Sequence, residues 1–538
     1  MAVYVQKEEQ RQICDDLVFV EEFDALSIEY KPKPVEKYPA KLHAQAVARR
    51  LGVRDGLIYL PGLTEANYED SDMAPAFRQR RYFYYLSGCN ESGYAVTYDI
   101  HTDKLSLWMP PQRDPHSAIF NGVIPSVEEV KATYDVDYVE RVTKLDDYLT
   151  FYAHHNLGYI YLLHKYQVPS GVKAVMSYKD GSTSRLDSSP FDSSKLLNAM
   201  DAARAVKSPW ELKAIRKASA ISALAHINVL RGISRFTNET EIEAVFTATC
   251  IASGAKNQAY GVIAAAGPNA STLHYMSNTS SLKGQQTVCL DAGCEWKCYA
   301  SDVTRTFPIS GSWTPEAKEI YDLVAKMQEE CIAMVKPGFN FRVAHLHAHK
   351  VALEGLMKLG ILYNGTASEI FVSGVTSAFF PHGLGHFMGL EVHDVGQDAP
   401  SSKADYALYG FRDNPTSWAS AFGEMLRTSP RMASVASLEP NMVITVEPGI
   451  YFNRWAIEEV HLKTEKYAKY INKDLLEKYY PVGGVRIEDD ILVTKDGYEN
   501  LTTVPKGDAA LKIINEAREK REGKQEAVEE SKKKGWLW

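Results

Sequence analysis

No apolar run in this chain of 538 residues approaches the roughly 18 needed for a membrane-spanning helix. The opening stretch, MAVYVQKEEQRQICDDLVF, lacks the basic start and apolar core of a secretory signal. A membrane partner is therefore not expected, and a soluble, cytoplasmic protein is. An excess of basic charge is missing too: 60 Lys and Arg stand against 68 Asp and Glu, a net charge of −8. That balance argues against nucleic acid as the main partner, and against an anionic surface. Cysteine is sparse. Seven residues, an odd count at irregular spacing, read as reduced thiols rather than a disulfide framework. Cys294 and Cys298 stand close together, yet no second Cys/His pair follows at zinc-site spacing, so a thiolate cage is not expected. The HExxH pattern is absent as well. His345 and His349 are spaced i, i+4, but no Glu follows the first, and a packing or surface role is expected for them. No internal repeat recurs at a fixed period.

What is present is an ordinary globular composition, 45% hydrophobic and 24% charged, in a chain too long for one ordinary domain. The stretch around which it is organised is TVCLDAGCEWKCYASDVTRT, residues 287–306, which places Asp291 and Asp302 on two short segments rich in β-formers. An antiparallel hairpin turning near Trp296 would set the aspartates opposite each other, with Cβ atoms about 5 Å apart. Like charges across a sheet repel, and burial raises the cost further, so a multivalent cation between them is the simplest explanation. Three later segments fit. PHGLGHFMGLEVHD offers His382, His386 and His393; ITVEPGIYF offers Glu447; VRIEDDILVT offers Glu488. Two Asp, one His and two Glu make an oxygen-rich set that suits Mn²⁺, Co²⁺ or Zn²⁺. Four carboxylates carry too much charge for one divalent ion, so a two-metal site gives the better balance.

The motifs DAG…DVTRTFP, HGLGHFMGLEVHD, VEPGIYF and GVRIEDDILVT, in that order, resemble the catalytic domain of the pita-bread metallopeptidases, in the prolidase and aminopeptidase P branch. The resemblance implies an α/β (α+β) protein: an N-terminal creatinase/prolidase-like α/β domain, then a pita-bread catalytic domain of two similar halves around a curved antiparallel sheet. It implies that Asp302 and Glu488 bridge two ions, with Asp291 on one and His386 and Glu447 on the other. Manganese is favoured by the oxygen-rich ligation. Water held between two divalent ions is acidified enough to attack the first peptide bond, with Glu447 passing its proton to the leaving nitrogen. His274, whose position before the first aspartate matches the family's substrate-side histidine, and His393 would stabilise the oxyanion.

The implied substrates are peptides or dipeptides with a penultimate proline. An Xaa-Pro bond has no N–H and a fixed φ, so the site must pack the ring, with His382, Tyr451 and Arg486 nearby. Arg486 fits either a substrate-holding role or a salt bridge to a ligating Glu. Release of the residue before proline, as an Xaa-Pro aminopeptidase or prolidase, is the expected activity. The alternatives are a strict Xaa-Pro dipeptidase and an inactive binding module of the same fold. No ligand position is lost, which disfavours the module and creatinase-like chemistry; a methionine aminopeptidase normally lacks so large an N-terminal domain. A homo-oligomer, a dimer, is also implied.

In chain order, residues 1–40 form an extension ending in the extended KPKPVEKYP. Residues 41–200 form the N-terminal α/β domain. In it LHAQAVARRLG is a helix, and LIYLPG, FRQRRYFYYLSG, GYAVTYDI and KLSLWMP are strands. The basic aromatic run 78–85 is read as an amphipathic strand rather than a nucleic-acid surface. Residues 201–508 form the catalytic domain. Its helices start at the capping boxes Ser208–Glu211 and Asn238–Glu241 and at Thr314-Pro315, and YGVIAAAGPNASTLHYMSN is strand, turn, strand. The glycines at 383, 385 and 389 place the histidines of the HGLGH segment on a loop and strand. Insertions span 397–440, which is polar and turn-rich, and 453–481, which is helical. The long Glu447-to-Glu488 separation resembles eukaryotic prolidases, of a fungal-like type, more than compact bacterial aminopeptidase P. Residues 509–538 are a charged helical tail, frayed or docking through its tryptophans.

Overall fold

The capping signals set the helices of the catalytic region. In the computed structural model, which describes residues 36–155, 158–180, 182–186, 188–395 and 437–533, the Ser208 side chain accepts from the Glu211 amide and opens helix Pro209–Gly232. Asn238 caps Glu239–Ala252 in the same way, and Thr314 caps Pro315–Ala333. Each satisfies an amide with no partner inside its helix. The helices form two hairpins, Pro209–Gly232 with Glu239–Ala252 and Pro315–Ala333 with Phe341–Lys358.

Of the three three-stranded antiparallel sheets among the described residues of this region, one is small, formed by Asn257–Gln258, Cys294–Trp296 and Tyr299–Ala300, and two larger ones accompany the hairpins. One of the larger two orders Ile263–Ala266, Thr287–Asp291 and Thr304–Pro308; the other orders Val443–Val446, Asp489–Val493 and Tyr498–Asn500. A helix hairpin and a three-stranded sheet thus occur twice, an echo of duplication that no sequence period records. Strands Gly449–Tyr451 and Gly484–Arg486 pair separately.

The described residues divide into two compact units between Ala205 and Val206. The N-terminal unit is a six-stranded mixed sheet in the order Tyr138–Arg141, Lys104–Met109, Ala95–Asp99, Leu57–Pro61, Ile160–Tyr161, Phe191–Asp192. Here one expectation fails. The aromatic run expected to be a strand is helix Arg81–Ser87, in which Arg81, Phe83, Tyr84 and Tyr85 are all buried. It has no wet basic face; burial on most sides has overridden the β-propensity of its aromatics.

Three further expectations need correction. The segment after Ala266 is a 3-10 turn, Gly267–Ser271, followed by loop, with no second strand. The HGLGH segment carries no strand, only a single bridge between Phe387 and Ile444. The 453–481 insertion is broken into short helical pieces such as Glu465–Ala468 and Lys473–Tyr479. The tail is a helix, Asp508–Lys533, and it docks on the catalytic unit through Ala510 and Ile514 in the apolar core. Its tryptophans, like residues 1–35 of the extension and most of the 397–440 insertion, lie outside the described residues.

Candidate metal centre

Asp291 ends strand Thr287–Asp291, and a hairpin, Cys294–Trp296 with Tyr299–Ala300, separates it from Asp302. Lys297 and Cys298 form the turn, both with positive φ (48° and 67°). That conformation is what a two-residue hairpin turn requires. The turn falls one residue later than expected, so Asp291 pairs with Thr304 rather than with Asp302. The two aspartates are therefore diagonal neighbours on one face, not a direct pair. What joins them is Tyr260, whose hydroxyl lies 2.6 Å from Asp291 Oδ1 and 2.6 Å from Asp302 Oδ1 and shares its one proton between them.

His386 is carried by a loop stitched to strand Val443–Val446. Its amide donates to Thr445 Oγ1, and the Thr445 amide donates to its carbonyl. Gly385 lets the two backbones meet this closely, since a Cβ there would lie 2.0 Å from the Thr445 oxygen. His386 Nδ1 donates to the Phe387 carbonyl (3.0 Å), which turns Nε2 toward the carboxylates, 3.4 Å from Asp302 and 3.3 Å from Glu447. Asp302, His386 and Glu488 present ligand atoms within 4.8 Å of one another. Asp291 and Glu447 flank them on the wall of the same cavity, of about 460 Å³, which His274, His382, His393 and Arg486 also line.

The electrostatics of this donor set fit divalent cations. Burial, with Asp302, Glu447 and Asp291 close by, pushes the Glu488 carboxyl well above the usual range, and its Oε1 is buried without a hydrogen-bond partner. Burial raises Asp291 as well; Arg486 pulls it back and Asp302 pushes it up further. Burial alone would lower His386, but Asp302 and Glu447 hold it well above the ordinary histidine range. Burial likewise opposes ionisation of Glu447, yet His386 beside it brings that carboxyl down to about 2. Carboxylates crowded in this way, with an orphaned acceptor oxygen, match hard cations that take oxygen donors and one imidazole.

The three residues assigned to the proline ring form a chain of contacts. Arg486 donates to Asp291 (2.6 Å), to Thr304 Oγ1 (3.1 Å) and to the Tyr451 hydroxyl (2.8 Å), which in turn donates to His382 Nε2 (2.8 Å). The salt bridge anticipated for Arg486 is therefore present, but to an aspartate of the cluster and not a glutamate. Burial lowers His382 to about 4, so it is neutral at neutral pH. His393 stacks edge-on with His386, ring centroids 4.3 Å apart, and is lowered by burial and by that neighbour. His345 and His349 are buried, with His349 Nδ1 on Thr376 Oγ1, as a packing role requires.

Sequence reasoning missed four supporting groups. Thr304 Oγ1 donates to Glu488 Oε2 (2.6 Å), and Asp490 accepts from the Asp302 amide (3.2 Å) and from Ser219. Tyr260 and Thr445 complete the set. The run of acids at 488–490 was the available signal for Asp490; a lone tyrosine or threonine beside an apolar run gives none. Tyr260→Phe removes the shared proton while leaving the ring, and metal affinity is expected to fall about 10–100-fold. Dialysis against graded metal buffers measures it; unchanged affinity would show that Tyr260 only fills space.

Comparison with known proteins gives the family of the chain. Residues 213–495 match the model of metallopeptidase family M24, and residues 40–161 match the aminopeptidase P N-terminal domain. The chain is 62% identical to a probable Xaa-Pro aminopeptidase of Sclerotinia sclerotiorum, over 96% of this chain and 94% of that protein. It is 61% identical to a probable Xaa-Pro aminopeptidase of Botryotinia fuckeliana, with the same coverage. Among solved structures it is similar to aminopeptidase P from E. coli in its low-pH form, with a TM-score of 0.72 and 26% identity over 90% of this chain and 100% of the other. The α/β class with a pita-bread catalytic domain is borne out. The chain belongs to metallopeptidase family M24, with an aminopeptidase P N-terminal domain ahead of the catalytic domain.

Proposed function

We propose that this protein is a metal-dependent Xaa-Pro aminopeptidase, which hydrolyses the bond before a penultimate proline and releases the N-terminal residue. The observation that carries the reading is the buried cluster of Asp302, His386 and Glu488 on the wall of an open cavity, in a chain of this family. Asp291, Asp302, His386, Glu447 and Glu488 would hold two divalent ions, with Mn²⁺ favoured by the oxygen-rich donors. Such ions, when bound, polarise a carbonyl and acidify water.

The chain's own groups supply the rest. Glu447, ionised at neutral pH, accepts a proton and passes it to the leaving nitrogen. His274 and His393, on the cavity wall, donate to the developing oxyanion. The proline ring packs against His382 and Tyr451, which Arg486 holds in place. The names of the fungal relatives favour peptides longer than two residues over a strict dipeptidase. A homodimer and a cytoplasmic location belong to the same proposal; light scattering and cell fractionation read them.

The test is alanine release from Ala-Pro, Ala-Pro-Gly and Ala-Ala-Gly by the Mn²⁺-loaded chain. Rapid release from Ala-Pro-Gly, with little from Ala-Ala-Gly, is expected. Equal rates on the last two would sink the proline specificity, and cleavage of Ala-Pro alone would establish the dipeptidase.

A further inference from the structure

His274 reaches the cavity from the loop between strand Ile263–Ala266 and the residues near Ser280, and it is exposed there. Among the described residues none hydrogen-bonds its ring, so its place depends on the loop that carries it. One carboxylate contacts both ends of that loop, alongside the direct Asn269–Ser280 bond and the contacts of Asn278 with Ala264, Val262 and Glu243. Glu239, fully buried at the first position of helix Glu239–Ala252, accepts four hydrogen bonds. Its Oε1 takes the Ala266 amide and Asn269 Nδ2, both at 2.9 Å; its Oε2 takes the Tyr275 hydroxyl and the Ser280 amide, both at 2.8 Å. One pair lies on the entering side of the loop and the other on the leaving side. Tyr275 is the residue next to His274. The Glu239 amide also donates to the Ser280 carbonyl (3.0 Å), and the helix N-terminus favours negative charge at this position.

We infer that Glu239 is a positioning residue for the reaction: it clips both ends of the 267–280 loop and so fixes where His274 stands in the cavity. The inference rests on the peptidase reading of the site. All four partners donate, so only an acceptor at both oxygens satisfies them. A Gln at this position would set its NH₂ against a backbone amide on whichever side it turned, Ser280 or Ala266, neither of which can accept, and open that side of the clip.

Two measurements on the full-length, Mn²⁺-loaded chain test it. In turnover of Ala-Pro-Gly, Glu239→Gln is expected to lower kcat about 10²-fold, the scale set by misplacing a group by roughly an ångström. Bound metal should be unchanged. Combined with His274→Gln, it should cost nothing beyond His274→Gln alone, because both remove one contribution. Multiplying losses in the double variant, or wild-type kcat in Glu239→Gln, would overturn the inference. Should Glu239→Gln fail to fold, Tyr275→Phe deletes one of the four donors and enters the same cycle with a loss of about tenfold. The second measurement needs no turnover. Amide hydrogen exchange over 267–280 should accelerate in either variant, and unchanged exchange would refute the clip. A wild-type chain inactive on every peptide, with exchange nevertheless accelerated in the variants, would instead refute the peptidase reading and leave the anchoring role established.

Discussion

Asp302→Ala is expected to abolish peptide hydrolysis for practical purposes, by about 10³-fold or more in kcat. Asp302 stands next to three other residues of the cluster. It lies 3.4 Å from His386 Nε2, shares the Tyr260 proton with Asp291, and presents an oxygen within 4.8 Å of Glu488. On the proposed reading, its loss would remove a ligand from the set that would hold the metal and concentrate positive charge at the reacting carbonyl. Metal catalysis of this kind is worth several kcal/mol, and each 1.36 kcal/mol is about tenfold in rate. Stability should move the other way or hardly at all, because one carboxylate fewer relieves the crowding that pushes Glu488 and Asp291 upward. Steady-state kinetics with bound metal on the same samples checks it. A variant that retains activity and metal would show that the cluster is not the centre of the chemistry.

Arg305→Met is expected to be the most destabilising single change near the site, by about 3 kcal/mol or more. Arg305 and Asp489 form a buried ion pair of 2.8 Å, with side chains 3% and 0% exposed. The rest of the guanidinium donates to the carbonyls of Val504, Thr304 and Glu488. A methionine fills the space but leaves Asp489 with only Lys506 and Asn500, and takes the guanidinium from the carbonyls of Val504 and Glu488, while the Thr304 carbonyl keeps the Glu488 amide. Breaking one side of a buried pair typically costs about 3–5 kcal/mol, and Lys506 keeps the expected loss toward the lower end. In a unit of this size that corresponds to a melting temperature about 4–5 °C lower. Arg216→Met, at an exposed pair with Glu499, serves as the control and should cost under about 1 kcal/mol. Equal shifts for the two variants would contradict the account.

Much of the site was legible because its residues are chemically improbable where they stand. Two aspartates on a β-rich stretch, glutamates inside apolar runs and histidines between glycines announce a function before any geometry is known. The helix starts were equally legible, since Ser208, Asn238 and Thr314 satisfy amides within their own turn, an interaction that depends on nothing distant. What escaped depended on distance or on register. A turn at Lys297-Cys298 instead of Trp296 moved Asp291's partner from Asp302 to Thr304, and no propensity separates those turns. Arg81–Ser87 was misread because its aromatics favour strands in isolation, while burial of nearly the whole segment decides for a helix. Tyr260 and Glu239 lie 31 and 30 residues from Asp291 and Asn269, the groups they hold, and their roles exist only in the folded chain.

The central claim is that this cluster, loaded with metal, releases the residue before proline. Its most direct test is stepwise addition of Mn²⁺ to chelator-treated protein, with bound metal and alanine release from Ala-Pro-Gly followed together. The account predicts no release from the stripped chain and a rise to a plateau as two ions bind per chain, with both curves lost in Asp302→Ala. Release that survives chelation, or full metal binding by Asp302→Ala, would contradict it.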